Sequence, residues 1–104
     1  MPEKGPWGKA PEHAPKNLEM MRTECRDSLL DYARERAKKL QVDYTVELGD
    51  ATASGRLLRI THGDADAFGR ELEEAGRRAE ELYPSEVHPI VTYTPASREV
   101  VILV

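Results

Sequence analysis

Residues 100–104 read Val100-Val101-Ile102-Leu103-Val104, an apolar run with no polar residue inside it. A strand with one face in water alternates apolar and polar side chains, because successive residues point to opposite faces. This run does not alternate, so both of its faces need cover. It reads as a central strand or as the core of an interface. The chain is expected to end inside its own sheet, as a compact domain rather than a piece of a longer one. If Val100, Ile102 and Val104 face a helical layer, then Val101 and Leu103 face the other way. A slip of one residue would exchange the two sets.

The pattern can be followed outward from this strand. Thr94-Pro95-Ala96-Ser97 is a turn, and Val87–Thr94 before it reads as a strand in which Pro89 cannot donate to a ladder, which marks an edge. Ahead of that, Ala65, Phe68, Leu72, Ala75, Ala79 and Leu82 recur at steps of three and four, an amphipathic helix capped by Asp64 and closed by Pro84. Arg56–Thr61 reads as a strand, with Leu58 and Ile60 on its inner face. Val42, Tyr44, Val46 and Leu48 alternate with Asp43, Thr45 and Glu47, so a further strand lies there.

The first helix is predicted from the cap residue Asn17 to Leu40, with Leu18, Met21, Cys25, Leu29, Tyr32, Arg36 and Leu40 on one stripe, widened by Leu30, Ala33 and Ala37. At 1.5 Å per residue it would be roughly 36 Å long, more than a small sheet covers. It therefore either breaks near Thr23 or projects its first half.

The expected fold is α+β, a two-layer α/β sandwich in the order α-β-β-α-β-β. A crossover through the second helix should be right-handed and leave its two strands parallel, with a gap for the apolar strand. That gives a four-stranded sheet of order 1-2-4-3 with both helices on one face. Arg36-Ala37-Lys38-Lys39-Leu40 and Arg78-Ala79-Glu80-Glu81-Leu82 echo one another, as do Ala53-Ser54-Gly55-Arg56 and Ala96-Ser97-Arg98. Both matches suit a duplicated α-β-β unit. Residues 1–16 hold four prolines, two glycines and three lysines around Trp7. They read as a disordered arm, and residues 17–104 as a single α+β domain.

Composition excludes several classes of function. The 104 residues carry 15 basic and 19 acidic side chains, a formal net charge of −4, so no overall basic field holds nucleic acid or an anionic membrane. The one cysteine, Cys25, rules out an internal disulfide or a Cys-rich metal site, and on the buried stripe it reads as a small hydrophobe. No segment approaches the ~20 apolar residues of a membrane span. A soluble, cytoplasmic protein is expected.

Chemistry-bearing motifs are few. His62-Gly63-Asp64-Ala65-Asp66 is the most enzyme-like string, a histidine beside paired carboxylates that could hold a metal or move a proton. Helix starts attract acids, however, and that accounts for Asp64 and Asp66 without a ligand. His88 would lie at the opposite end of the sheet. Lys38, Lys39 and Arg98 form a candidate basic patch for nucleic-acid phosphate, but no aromatic platform accompanies it.

The reading that follows is a non-enzymatic binding or regulatory module with no catalytic residue, cofactor or metal. It is expected to act through a protein partner, first of all as a homodimer formed by the open sheet face. Trp7, Arg59, Val101 and Leu103 are the expected interface residues. A nucleic-acid-binding regulator using Lys38, Lys39 and Arg98 is the alternative, and an enzyme or metal protein using His62, Asp64 and Asp66 comes third.

Overall fold

Asn17 opens the first helix. In the computed structural model, which describes residues 17–48 and 55–104, its side-chain oxygen accepts the Met20 N–H at 2.8 Å. One of the four donors left over at a helix start is thereby satisfied. Helix α1 spans Leu18–Leu40 without a break at Thr23. It ends where Gln41 turns left-handed (φ 58°), and the Val42 N–H reaches back to the Ala37 carbonyl at 2.9 Å. The strands are β1 (Asp43–Leu48), β2 (Gly55–His62), β3 (Ile90–Thr94) and β4 (Glu99–Leu103), and helix α2 (Ala65–Leu82) lies between β2 and β3. Trp7, Ser54 and the rest of residues 1–16 and 49–54 lie outside the described residues, so the expected arm does too.

The sheet order is β1-β2-β4-β3, with every neighbouring pair antiparallel. β4 fills the gap between the mutually parallel β2 and β3, as its unbroken apolar run requires. Its register places Val100 beside Leu58 and Tyr93, and Ile102 beside Arg56 and Val91. Val100 and Ile102 are fully buried beneath the helices, and Val101 and Leu103 point to the other face. The fold is α+β, with both helices in one layer.

The predicted boundaries of β3 and the stripes of both helices need correction. β3 starts at Ile90 rather than Val87. Val87 closes a turn on the Pro84 carbonyl, His88 sits at φ 45°, and Pro89 has no N–H, so a ladder cannot begin earlier. Leu82, placed on the α2 stripe, is exposed, and Tyr83 is the buried residue at that end. On α1 the buried line is Cys25, Leu29, Ala33 and Ala37, while Tyr32 and Arg36 lie only half-buried beside it. Alanine wins the seam because α1 packs along α2, whose own buried residues include Ala75 and Ala79. The two alanines of the echoing strings, Ala37 and Ala79, both face the core.

The helices run antiparallel, tied by an Arg36–Glu71 ion pair at one end and by Arg22, which donates to the Glu86 carbonyl, at the other. The first turns of α1 therefore run past the end of α2, where Leu18 and Met21 pack on the margin of the core and Met20 is exposed.

Helix α2 sits close on β3 through two glycines. A Cβ built on Gly69 would collide with the Tyr93 ring, and one on Gly76 would lie 2.6 Å from a Val91 methyl. Gly63 is needed for another reason. It turns at φ 106°, and a side chain there would strike the Gln41 carbonyl and Val42 at 2.9 Å. Replacing Gly69 with alanine gains about 1 kcal/mol of helix propensity but forces α2 away from the Tyr93 ring, an overpacking cost of about 1–3 kcal/mol. Gly69→Ala should therefore lower unfolding stability in a urea titration, and a stabilised variant would show that α2 can shift freely on the sheet.

Candidate functional site

The outer face of the sheet, opposite the helices, is set by the same register that buries the core. Reading across it, Thr45, Arg59, Glu99 and Thr94 form one row, and Glu47, Leu57, Val101 and Thr92 the next. Leu103 and Ile90 are paired at the end of the face. The middle and one end of the face are thus apolar, built from Leu57, Val101, Leu103 and Ile90. Leu57 and Val101 are half-buried by their neighbours alone, whereas Leu103 is 45% and Ile90 42% exposed. Apolar side chains that adjoin one another on a flat face differ from isolated surface leucines, because they strip water from a continuous patch.

Arg59 stands on that face between two carboxylates, 3.1 Å from Glu47 and 3.7 Å from Glu99. The three side chains belong to three adjacent strands and form a charged bar along one side of the apolar patch. In water such a bar adds little stability, since exposed ion pairs contribute about 0–1 kcal/mol. Of the residues expected at an interface, the structure therefore brings Arg59, Val101 and Leu103 together on one face. With Leu58 and Ile60 inward, alternation along the strand puts Leu57 on this face as well. Ile90 was missed, because its exposure depends on the ladder starting at that residue.

The enzyme-like string is differently employed. The Asp64 carboxylate caps α2, accepting the Ala67 N–H at 3.1 Å. The Asp66 carboxylate accepts the Tyr93 hydroxyl at 2.5 Å and so ties the start of α2 to β3. His62 is the last residue of β2 and pairs with Asp43, while His88 lies at the far end of the sheet beside Glu80. Among the described residues, no three His, Cys, Asp or Glu side chains converge as a metal-binding group.

The basic residues share one end of the domain, as their order along the chain implies, but they do not act alike. Lys38 and Lys39 are exposed in the last turn of α1, where positive charge suits the negative end of the helix dipole. Arg98 turns inward from the β3–β4 turn. Its Nη2 donates to the Gly63 carbonyl at 3.3 Å and its Nε to the Ile60 carbonyl at 3.5 Å. The Arg98 carbonyl in turn accepts the Ile60 N–H at 3.0 Å. This arginine stitches two turns together, a role that needs the tertiary fold to be visible.

Compared with protein-family models, with curated proteins and with solved structures, the chain matches none.

Three weak acids that pack in the helix layer or against it are held in their neutral forms. Burial pushes the Cys25 thiol up to about 12 from an ordinary 9.0, and the Tyr83 hydroxyl up to about 12 from 10.0. The Tyr93 hydroxyl also rises to about 12, first through burial and then through its bond to Asp66. A thiol held neutral in this way is a poor nucleophile. Each folded value lies above its unfolded one, so the unfolded chain loses its protons first as pH rises. Stability is then fully present below pH 9 and falls as pH rises towards 12. The urea midpoint should accordingly decline between pH 9 and 12, and Cys25→Ala should flatten the first part of that decline. A midpoint that stays level across this range would mean that these groups titrate as freely in the folded chain as in the unfolded one.

Proposed function

We propose that this chain is a non-enzymatic binding or regulatory module that works by protein–protein association, and that it associates first with a second copy of itself through the outer sheet face. The observation that carries this reading is the apolar patch of that face, Leu57, Val101, Leu103 and Ile90, with Leu103 and Ile90 still 45% and 42% exposed. Two sheets stacked at about 10 Å would bury such a patch from both sides. The Glu47–Arg59–Glu99 bar gives the face both signs of charge within one small area, so two copies related by a two-fold axis can meet without opposing like charges.

The non-enzymatic part of the reading is supported by how the candidate acids are used. Asp64 and Asp66 each hold an element of the fold in place, and Cys25 is buried. The nucleic-acid alternative draws on Lys38 and Lys39, while Arg98 is engaged with backbone carbonyls. That leaves fewer cations for phosphate than the linear sequence suggests.

Solution mass by light scattering tests the proposal. The intact chain should exceed the 11.7 kDa of one copy, and Leu103→Glu should halve the mass of the assembly while leaving the chain folded. A charge placed in the apolar patch should weaken association at least tenfold, about 1.4 kcal/mol. A wild-type chain that runs as a single copy at all concentrations would overturn the reading.

A further inference from the structure

The two edges of the sheet are treated differently. At the β3 edge the Tyr93 N–H, which points away from β4, donates to the Glu73 carboxylate of α2 at 2.9 Å. Pro89 precedes the strand and offers no donor, and α2 lies close over Val91 and Tyr93 through Gly76 and Gly69. An edge covered in this way is closed to further pairing. At the β1 edge nothing comparable is found among the described residues. Tyr44 turns its ring towards Phe68 of α2, with centroids 5.3 Å apart, which identifies the helix-side face of β1. Val46 and Leu48 follow on that same face and are 47% and 63% exposed. Helix α1, drawn against α2 by its alanine seam, does not cover them.

We propose that β1 pairs antiparallel with β1 of a second copy of this chain, centred on Val46, so that the two sheets continue as one. The strand's own sequence selects both the partner and the register. Centred on Val46, the two-fold sets Val46 against Val46, Tyr44 against Leu48, and Thr45 against Glu47. Apolar residues then meet on the helix side and polar ones on the outer side. Centred on Thr45, the pairing would set Asp43 against Glu47, and centred on Glu47 it would set that carboxylate against itself. Like charges directly opposite one another oppose both of those registers. A slip of one residue would turn one sheet over and place Val46 against Thr45 or Glu47. The pairing uses an edge rather than the outer face, so it is an association separate from the one proposed above.

Disulfide trapping in the full chain tests it. Residues directly opposite in an antiparallel pair have Cα atoms about 4.5–5.5 Å apart, within the span of a disulfide. Val46→Cys should therefore give a covalently linked dimer on mild oxidation, seen on a non-reducing gel, while the buried Cys25 gives the wild-type chain none. Leu48→Cys should stay unlinked, because in this register the two Leu48 positions lie four residues apart along the strands, about 13 Å. The link at Val46 should also form in the Leu103→Glu background. An unlinked Val46→Cys chain, equal linking at both positions, or loss of the link in that background would each overturn the pairing. A failure of the outer-face reading shows instead as a Leu103→Glu chain of unchanged mass, so the two fail separately.

Discussion

The burial of β4 is the constraint on which the rest of the structure depends. A strand apolar on both sides must sit between two other strands and needs cover above and below. Here the strands on either side are β2 and β3, and the helices cover Val100 and Ile102 completely. Val101 and Leu103 receive no such layer within the described residues. The sheet is therefore finished on one face and unfinished on the other, and the unfinished patch includes the outward residues of β4 itself.

The helical layer is itself uneven. Two glycines bring α2 close onto β3, and Glu73 and Asp66 then bond to Tyr93 from above. Helix α1 has no glycine, and it uses its buried alanines, Ala33 and Ala37, against α2 rather than against the sheet. A repeated α-β-β order thus yields two unlike halves, one whose edge strand is covered by its helix and one whose edge strand no other described residue covers in that way. The difference comes from which neighbour each helix approaches through its smallest residues, because close packing rewards the contact that excludes most space.

Charge in this chain is mostly local. Asp64 caps a helix, Arg36 pairs across the helix seam with Glu71, and Arg98 ties two turns through their carbonyls. Asp64 is legible as a cap in the sequence itself, whereas the partners that occupy Arg36 and Arg98 appear only once the chain is folded. An acid beside a histidine, or an arginine near two lysines, states a chemical capacity. Whether the group is free depends on partners far away in the sequence, and for Arg98 these lie 35 and 38 residues away.

The element order, the sheet order 1-2-4-3 and the inward set of β2 are legible in the sequence, which also divides β4 into two sets but leaves the register to decide which of them faces the helices. Those features follow from periodicity and from the handedness of crossovers, which act on short stretches of chain. The sequence also marked Arg59, Val101 and Leu103 for one face, since alternation along a strand is a local property. The packing of separate elements was needed to show that Ala33 and Ala37 rather than Tyr32 and Arg36 hold the helix seam, that Leu82 is exposed, and that Val46 and Leu48 are 47% and 63% exposed on the helix side. Those outcomes depend on how closely two helices can approach each other and the sheet. That distance is set jointly by side chains from separate elements, and no stretch of the chain carries it alone.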